Sequence, residues 1–596
     1  MSTRPLPVAR RPAVLSVALG LCCILILTSE PAFGNSSAFR LIAQVRTLIH
    51  RHYVEKIDSI QVIDGAVDGI VAALPQGENI YISPSEIDQI EPGGPPTKRR
   101  LDKRAQLELL SDTFHNIRAH YLQTVSVDTL AHGAIWGMLA TLDPHSQYLD
   151  PKARTDMVER YRGDFEGIGI HFDLRQGELL VIAPIVGSPS YGRLRAGDRI
   201  LAIDGVSTDG ITAEQVMKKL RGPKGSRVEV TVYREGFEDL LDFTLVRNRI
   251  PIVSVPYAFV LRPSTGYIRI ARFAENTGRE LAQALAQLRA ADITRLVLDL
   301  RDNGGGLLDQ AVEVADHFID AGQLVVYTEG RHPNSRQEYR ARYPLEDTPL
   351  SLIVLLNHGS ASGSEIVAGA IQDLDRGLIV GQTSFGKGLV QQQFPLPNDG
   401  LLLLTIARYY TPLGRLIQRP YTRDLQAYLQ EGQDDLDPNA IDSLRSQQNV
   451  YFTALGRPVY GGGGISPDEP LAIQPISAFM QQLLTADAPF NFARHWAGSR
   501  SDWPTDFAQF RTHFRVGDET LDNFRAFLAG QDVAIADEIF ARHHDPIRRA
   551  LKSSLALVLW GDSQSYQIRL EGNPQMEQIL DLFEQADELA RKAGEG

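Results

Sequence analysis

The feature that most constrains the fold is a pattern that occurs twice in the middle of the chain. In each copy, an apolar strand-like segment runs through a tight turn into a segment with helical spacing of apolar residues. The first copy has a strand at 296–300, a glycine turn at 302–306 and a helix from Leu308, and the second has a strand at 352–356. A strand at 267–270, also followed by a helical segment, precedes both. This alternation predicts a largely parallel sheet covered by helices.

Length and composition indicate a protein of several domains. At 596 residues the chain exceeds a typical single domain, and its apolar fraction of 43% is sufficient for several cores. The formal net charge is −13, and no basic stripe stands out. This balance argues against nucleic acid as a partner. We therefore expect a multidomain α/β protein.

Residues 1–34 are expected to be a targeting segment rather than part of the fold. Three arginines precede an apolar run at 13–27, and small residues up to Gly34 follow it. This order is typical of a secretory signal peptide cleaved near Gly34, so we expect an exported protein that is periplasmic or otherwise extracytoplasmic. The alternative is an uncleaved signal anchor, which would leave the protein membrane-associated, although the run is short for a full span.

Both cysteines of the chain, Cys22 and Cys23, lie within this targeting segment. Leu21 is too large for the residue before a bacterial lipoprotein cysteine, so lipidation is not expected. The exported part therefore has no disulfide and no thiol nucleophile.

An internal repeat opens the mature chain. Residues 51–53 and 65–69 reappear as residues 119–121 and 133–137, at a constant offset of 68 residues. Each copy has apolar residues at helical spacing, for example Phe39, Ile42, Val45 and Ile49. We expect two helical repeats.

We assign these repeats to residues 35–96 and 97–158, with a linker rich in proline and glycine at 91–96. The first copy ends in Tyr-Ile-Ser-Pro at 81–84, as the second ends in Tyr-Leu-Asp-Pro at 148–151. The sequence leaves open whether the duplication serves self-association or the cradling of a substrate.

Residues 159–249 are expected to form a small β domain with one helix. Short strands of alternating apolar residues are interrupted by a single helical segment, Thr212 to Leu220. This order, and the loop at 194–200, resemble a PDZ domain. In that case the glycine-rich segment would bind a chain-terminal carboxylate and an extended peptide by strand addition. The expected peptide-binding residues are Gly167, Ile168, Gly169, Ile170, Val216 and Leu220. The alternative for Gly167–Ile170 is a plain strand with a close backbone approach.

Two turns carry residues suited to hydrolysis. Ser362 stands between strand 352–356 and the following helix, and Lys387 lies between two glycines close to apolar side chains. A serine hydroxyl needs a base to become a nucleophile, and a lysine is a base only when burial keeps it neutral. The pair therefore predicts a Ser-Lys hydrolase.

The segments around these two residues resemble the active site of the carboxyl-terminal processing peptidases, also called tail-specific proteases. Ser-Ala-Ser-Gly-Ser-Glu-Ile at 360–366 and Phe-Gly-Lys-Gly-x-x-Gln at 385–391 carry the resemblance. In that family the nucleophile is the second serine of Ser-Ala-Ser and the lysine follows 25 positions later, which selects Ser362 over Ser360 and Ser364. The family usually has alanine where this chain has Gly363, a departure expected to loosen the turn.

The resemblance covers roughly residues 100 to 470 and implies further properties. The core at 250–470 is expected to be a ClpP/crotonase-like serine peptidase that acts on unfolded or tail-exposed proteins through an acyl-enzyme. Gln391 takes the position of the glutamine that orients the lysine, and Gly305 and Gly306 that of a second oxyanion donor. The amide of Gly363 is a first donor, because it lies at a helix N-terminus. No cofactor and no metal are expected.

Simpler interpretations of the same residues remain. Ser362 and Glu365 have the spacing of a capping box, in which the serine only caps a helix and has no catalytic role. The simpler interpretation of Lys387 is a solvated cation in a loop. The simpler interpretation of residues 299–306 is a tight connection without a catalytic role. A Ser-His-Asp triad using His358 is disfavoured, because this histidine is too close in sequence to the serines.

The end of the chain contains two neighbouring histidines and an aspartate. His543, His544 and Asp545 lack a zinc-protease pattern. They lie in a helical extension at 471–596, with candidate helices at 521–528, 546–559 and 576–592, for which we expect packing or assembly.

The sequence leaves open a homo-oligomer through the N-terminal or C-terminal helices and an adaptor lipoprotein as a partner. The alternative to an exported endopeptidase is a catalytically silent PDZ adaptor that only binds tails.

Overall fold

The computed structural model describes most of the chain from Ser37 onward. The described residues are 37–74, 110, 112–117, 119, 121, 124–175, 177–345, 350–421, 428, 449–471, 476–498, 503–504, 506–531 and 535–595. The predicted signal peptide, the linker at 91–96 and the Tyr-Ile-Ser-Pro segment at 81–84 lie outside them. The described residues form two compact units. The first contains the residues up to Tyr148 together with Gln393–Leu404, and the second contains Leu149–Gln392 together with the residues from Thr405 onward.

The first unit is built around amphipathic helices. They are α1, Ser37–His52; α2, Ser59–Ala72; and α3, Val127–Ala140. The predicted apolar residues Ile42, Val45 and Ile49 are buried on α1, which confirms this helix. The core also contains Leu396, Leu402 and Leu404 from the second segment of the unit.

The repeated glycines explain why the two copies share a pattern. Gly65 and Gly69 on α2 face Gly133 and Gly137 on α3, so that the two helices touch backbone to backbone. A Cβ atom at Gly65 would lie 2.6 Å from the carbonyl oxygen of Gly137. Such a close crossing requires residues without side chains, and the copies therefore pack on each other within one chain.

The second unit begins with the β domain expected at 159–249. A short strand and a helix precede it: β1, Gln147–Leu149, and α4, Pro151–Arg162. Its own elements are β2, Asp164–Gly167; β3, Ile170–Arg175; β4, Glu178–Pro184; β5, Arg199–Ile203; β6, Val206–Ser207; α5, Ala213–Leu220; β7, Arg227–Tyr233; β8, Leu241–Val246; and β9, Asn248–Pro251. Thr212 caps α5 in a capping box with Gln215, so the predicted helix is confirmed.

The sheet of this β domain leaves one edge strand available. Its strand order is β3-β4-β5-β7-β8, and β2 pairs separately with β9. In the described part of the chain β3 is therefore an edge strand next to the glycine-rich segment. An edge strand is what strand addition by a peptide requires.

The second domain of this unit alternates strands and helices as predicted. Its first elements are β10, Tyr257–Arg262; β11, Thr265–Arg269; α6, Thr277–Arg289; β12, Arg295–Asp299; α7, Leu308–Asp316; β13, Leu324–Gly330; β14, Gln337–Arg340; β15, Ser351–Leu356; α8, Gly363–Asp373; and β16, Leu378–Gly381. The remaining strands are β17, Leu389–Pro395; β18, Leu401–Tyr410; β19, Asn449–Phe452; β20, Pro458–Gly461; and β21, Glu469–Pro470. β17 and β18 form a hairpin whose tip, Gln393–Leu404, belongs to the first unit.

A mainly parallel sheet organises this domain. The order is β10-β11-β12-β15-β16-β21, and every neighbouring pair is parallel except β10 with β11. The glycine turn at 302–306 and the turn that holds Ser362 follow neighbouring strands, β12 and β15. Because neighbouring parallel strands end at the same edge of a sheet, the two turns meet there.

Successive side chains of these strands point to opposite faces, and each face has its own helical cover. Leu296, Leu298, Leu352 and Val354 pack with α6, α7 and α8 on one face. Tyr267, Val297, Ile353 and Leu355 pack on the other face with the C-terminal helices described next. The sheet is therefore buried on both sides, as parallel sheets usually are.

The C-terminal extension is helical throughout its described part. Its helices are α9, Ala478–Thr485; α10, Ala488–Gly498; α11, Phe507–His513; α12, Asp518–Ala529; α13, Asp537–Arg542; α14, His544–Trp560; α15, Asp562–Leu570; α16, Pro574–Asp581; and α17, Phe583–Glu595. The single helix predicted at 576–592 is wrong in one respect, because the chain breaks at Leu582 into α16 and α17. Phe583, directly after the break, is buried against the sheet, and Leu582 packs partly buried beside it.

Candidate active site

The turn between β15 and α8 holds Ser362 in a strained conformation. Its φ of 54° and ψ of −111° lie outside the regions that residues with a side chain ordinarily adopt. A serine on a strained strand-to-helix turn presents its hydroxyl to solvent or substrate, as in nucleophile elbows. The half-buried Ser362 side chain fits this arrangement.

The structure distinguishes Ser362 from its two neighbouring serines. The buried hydroxyl of Ser360 donates to the carbonyl oxygen of Leu300 at 2.9 Å, and that of Ser364 donates to the carbonyl oxygen of Asn303 at 2.8 Å. Within the described residues, the Ser362 hydroxyl donates no such bond. The two flanking serines therefore hold the turn to the strand-end segment 300–303.

Lys387 lies in the loop between β16 and β17 and contacts Gln391. Its Nζ donates to Oε1 of Gln391 at 2.8 Å. A fully extended chain would separate these two residues by about 13 Å, so the contact depends on the loop before β17. Gly388 lets the loop approach closely, since a Cβ atom there would lie 2.8 Å from the amide nitrogen of Gln418.

One buried carboxylate binds the backbone of both segments. Oε2 of Glu365 accepts from the amides of Ser362 at 2.7 Å and Lys387 at 2.9 Å. Oε1 accepts from the amide of Gly386 at 2.7 Å and the hydroxyl of Ser384 at 2.5 Å. Burial raises the pKa of the Glu365 carboxyl above its ordinary value, while these hydrogen bonds act in the opposite direction. Glu365 thus does more than cap α8, because it ties the serine turn to the lysine loop.

A phenol makes the complementary contact with the two carbonyl oxygens. The hydroxyl of Tyr409 on β18 lies 2.5 Å from the carbonyl oxygen of Lys387 and 3.2 Å from that of Ser362. Tyr409 is fully buried, and burial raises its pKa well above the ordinary value, so the hydroxyl stays protonated and donates. Ser362 and Lys387 are therefore linked through their N–H groups by Glu365 and through their C=O groups by Tyr409.

The glycine turn after β12 lies directly against the serine. A Cβ atom at Gly305 would lie 2.7 Å from Cβ of Ser362 and 2.8 Å from the amide nitrogen of Gly363. Gly305 has a φ of +94°, and its own N–H donates to Oδ1 of Asn303 at 2.9 Å. The expectation that Gly305 donates to an oxyanion is therefore corrected, since this N–H is already engaged.

The amides of Gly306 and Gly363, unlike that of Gly305, donate to no other group of the described chain. The amide of Phe273 donates to the carbonyl oxygen of Gly305, and the amide of Leu307 donates to the carbonyl oxygen of Phe273. In parallel pairing these bonds bracket Gly306, whose own N–H then points away from Phe273. Gly363 is the first residue of α8, where amides have no intrahelical acceptor. In the described chain neither amide has a hydrogen-bond acceptor.

Gly363 is not a loose point in the turn, contrary to our expectation from the missing alanine. A Cβ atom at this position would lie 2.9 Å from Cδ2 of Phe273 and 3.3 Å from Cβ of Ala311. The aromatic ring occupies the space that a methyl group would need. The turn is therefore packed tightly with glycine.

The residues expected to bind a peptide tail lie together in the β domain, but not all of them are accessible. Gly167 ends β2, Ile170 begins β3, and Gly169 between them has a φ of +78°. Val216 and Leu220 on α5 are buried with Ile168 in the core of the domain, whereas Ile170 is only partly buried. Met217 is the large apolar residue of α5 that is exposed, with 42% of its surface accessible.

The rival sites do not assemble. The ring of His358 packs at 5.9 Å from that of Phe385. His543 lies between the hydroxyl of Ser477 at 2.9 Å and the carbonyl oxygen of Ile539 at 2.7 Å, which is a helix-end contact. The described residues contain no cluster of three or more acidic, histidine or cysteine side chains suited to a metal ion. None of their helices has both the length and the hydropathy that a membrane crossing requires.

Sequence reasoning missed three residues of this site. Glu365 was interpreted only as a cap, although its spacing from Ser362 was the one available signal. Tyr409 and Asn303 had no local signal, because they act through contacts with residues distant in sequence. Asn303 donates from Nδ2 to the carbonyl oxygen of Ile270 and so fixes the glycine turn.

Comparisons with protein families match three parts of the chain. Residues 264–426 match peptidase family S41, residues 180–234 match a PDZ domain, and residues 85–153 match the N-terminal domain of the activating protease CtpB. The PDZ match falls within the β domain, and the S41 match covers most of the domain with the parallel sheet together with Gln393–Leu404 of the first unit.

Comparisons with individual proteins agree with these families. The carboxy-terminal-processing protease of Bartonella bacilliformis is 39% identical over 318 residues, which is 52% of this chain and 73% of that protein. The processing protease CtpB of Bacillus subtilis is 32% identical over 351 residues, 58% of this chain and 73% of that protein. Among solved structures, a photosystem II D1 C-terminal processing protease is 25% identical, with a TM-score of 0.35 over 75% of this chain and 96% of that one.

The identity to these relatives extends over more than two thirds of their length, and the S41 family match at 264–426 includes Ser362. The chain therefore belongs to the carboxy-terminal processing proteases of peptidase family S41 and is a serine peptidase with a PDZ domain.

Proposed function

We propose that this protein is an exported endopeptidase that captures the C-terminal tails of proteins through its PDZ domain and cleaves them with a Ser362–Lys387 dyad. The observation that carries the proposal is the double link between these two residues. Glu365 accepts from both of their amides, and Tyr409 lies within 3.2 Å of both of their carbonyl oxygens. A fold that fixes a strained serine to a lysine in this way favours a nucleophile and its base.

The first chemical step transfers a proton from Ser362 to neutral Lys387. The Ser362 oxygen attacks the scissile carbonyl carbon, and the carbonyl π electrons move to its oxygen. The amides of Gly363 and Gly306 stabilise the resulting oxyanion, while Gly305 shapes the turn without donating. Gln391 accepts from Nζ of Lys387 and so directs the amine toward the serine.

The second half of the reaction releases the two products in turn. Protonated Lys387 gives its proton to the leaving amine, and the C–N bond breaks to leave an ester on Ser362. Lys387, again neutral, takes a proton from a water molecule that attacks the ester. Collapse of the second tetrahedral intermediate returns the proton to Ser362 and releases the carboxylic acid.

The proposed substrates are unfolded or tail-exposed proteins. An extended tail would add to the free edge of β3, with its carboxylate at Gly167–Gly169 and its last side chain near Ile170. We add Met217 to the proposed pocket, because it is the large apolar residue of α5 that is exposed. Val216 and Leu220 then support the pocket from the domain core.

The remaining assignments are also proposals. They comprise a ClpP/crotonase-like core at 250–470, the PDZ domain at 159–249, repeats at 35–96 and 97–158, and export directed by residues 1–34. The alternation of strands and helices supports the first, and the arginine-led apolar run supports the last. Oligomerisation and an adaptor lipoprotein have no direct support from the described residues.

The test compares the full chain with its Ser362→Ala variant on an unfolded protein with an apolar tail, and maps the products by mass. Cleavage by the parent and none by the variant supports the dyad. Ser207→Ala is the control, because it removes an exposed serine hydroxyl that has no part in the proposed mechanism. Equal cleavage by parent and Ser362→Ala would exclude Ser362, and tail binding without cleavage by either would favour a silent adaptor.

A further inference from the structure

We infer that the C-terminal extension contributes a positioning residue, Tyr566, that holds the glycine turn of the active site in place. The inference rests on the proposed function, because it treats that turn as part of the oxyanion site. Tyr566 lies on α15, outside the regions of the chain that match the PDZ domain, the S41 peptidase and the CtpB N-terminal domain.

The extension reaches the peptidase sheet by covering its second face. Apolar residues of α15, α16 and α17 are buried against residues of β11, β12, β15 and β16. The buried helical residues include Leu570, Met576, Ile579, Leu580 and Phe583. Tyr566 lies at the edge of this interface, where the apolar contact gives way to a polar cluster.

Two polar contacts hold the hydroxyl of Tyr566, and a third continues the chain from Tyr267 to Asp299. Nη1 of Arg269 donates to its hydroxyl oxygen at 2.8 Å, and the hydroxyls of Tyr566 and Tyr267 are 3.0 Å apart. The Tyr267 hydroxyl in turn donates to Oδ2 of Asp299 at 2.6 Å. All four residues belong to one continuous chain of hydrogen bonds.

The direction of this chain follows from the number of protons. A tyrosine hydroxyl has one proton, and Tyr267 uses it on the Asp299 carboxylate, which accepts only. The oxygen of Tyr267 must therefore accept from Tyr566, whose own oxygen accepts from Arg269. Phenylalanine at 566 would remove both bonds, leaving a partly buried donor on Arg269 and a buried acceptor on Tyr267 without these partners.

The consequence reaches the active site because Asp299 and Arg301 begin the glycine turn. Asp299 is fully buried, and Arg301 binds its carboxylate through both the side chain and the backbone amide. Arg269 also donates to the carbonyl oxygen of Arg301 at 3.3 Å. Tyr566 therefore positions Arg269, which in turn holds the first residues of the segment that ends at Gly305 and Gly306.

The expected effect is on the chemical step rather than on substrate binding. A displaced turn misplaces the Gly306 amide, and an oxyanion donor acts mainly on the transition state. For Tyr566→Phe in the full chain we expect kcat to fall about 5- to 10-fold with KM nearly unchanged, the loss that one weakened hydrogen bond causes.

Tyr257→Phe is the matched control on the same helix contact. The ring of Tyr257 stacks on that of Tyr566 with centroids 3.8 Å apart, and its hydroxyl donates to Asp562 of α15 at 2.6 Å. This variant weakens the attachment of α15 and removes no hydrogen bond of the Arg269 or Asp299 side chains. We expect near-parental kcat for Tyr257→Phe even where the melting temperatures of the two variants fall alike.

The outcomes separate this inference from the proposed function. Loss of activity in Ser362→Ala with parental kcat in Tyr566→Phe would overturn the inference alone. Equal falls of kcat in both tyrosine variants, in proportion to their melting temperatures, would also overturn it, because helix attachment alone would then explain the effect. Retained activity in Ser362→Ala would overturn the proposed function together with the inference.

Discussion

Replacing Glu365 with glutamine changes one atom of a buried carboxylate and tests whether this group holds the dyad together. Each carboxylate oxygen accepts two hydrogen bonds, one oxygen from the amides of Ser362 and Lys387 and the other from Ser384 and Gly386. Glutamine retains one oxygen and replaces the other with an NH2 group that has no lone pair to accept with. With the NH2 group toward Ser362 and Lys387, two backbone amides face another donor. With the NH2 group toward Ser384 and Gly386, the Ser384 hydroxyl can turn and accept from it, so that the amide of Gly386 alone loses its acceptor.

The magnitude follows from at least one lost bond and from the loss of the negative charge, which weakens the bonds that remain. Hydrogen bonds to a charged group contribute about 1.5–3 kcal/mol each, so we expect Glu365→Gln to lower the free energy of unfolding by about 3–6 kcal/mol. This is a large part of the roughly 5–15 kcal/mol that stabilises a typical domain. Activity at a temperature where the variant is still folded should fall at least about 100-fold, since displacement of reacting groups by about 1 Å has effects of this size.

The assay combines urea denaturation followed by circular dichroism with the cleavage rate of an unfolded substrate. Glu313→Gln is the control, because it makes the same change at an exposed carboxylate that accepts from Gln310. We expect the control to match the parent within about 0.5 kcal/mol. Parental stability and activity in Glu365→Gln would refute the assignment of Glu365 as the link between Ser362 and Lys387.

Three other predictions concern separate parts of the structure. Tyr409→Phe should lower kcat about 10-fold, because it removes the hydrogen bond to the carbonyl oxygen of Lys387. Tyr410→Phe is the control and should leave kcat unchanged, because the ring of Tyr410 stacks on Tyr327 instead. Equal rates in both variants would contradict the role of Tyr409. Gly69→Ala should destabilise the first unit by about 1–3 kcal/mol in thermal denaturation, because its Cβ would meet the backbone of α3, and the exposed Gln61→Ala serves as control. The pKa of Lys552 is lowered from 10.5 to about 8 by burial and by Arg515. The unfolded chain therefore binds this proton more tightly, and folded stability should rise as pH rises from about 8 to about 10.5. Lys552→Met should reduce this rise in the melting temperature, and an unchanged pH dependence would exclude Lys552 as its source.

The parts of the fold that local sequence patterns encode were predictable. The strand, turn and helix around Ser362 are confirmed as β15 and α8, and the parallel sheet follows from the same alternation. Periodicity and turn residues report on neighbours within a few positions, which is enough to place such elements. The spacing of Ser362 and Glu365 likewise indicated the cap at the start of α8.

The contacts that complete the site were not predictable in this way. Tyr409 comes 47 positions after Ser362 and Tyr566 comes 299 positions after Tyr267, so no periodic pattern connects them. The engagement of the Gly305 amide by Asn303 depends on the conformation of a turn, which its glycine content alone does not define. The break between α16 and α17 reflects packing on the sheet, because no proline or glycine marks it in the sequence.

The central claim is that Lys387 activates Ser362, and covalent labelling tests it most directly. The full chain and its Lys387→Ala variant would be treated with a fluorophosphonate, which reacts with activated serine hydroxyls, and the adduct would be located by mass spectrometry. We expect one adduct on the peptide that contains Ser362 in the parent and at least about a 100-fold slower reaction in Lys387→Ala, as expected when a general base is lost. An adduct on another serine, or equal labelling of Ser362 with and without Lys387, would contradict the account.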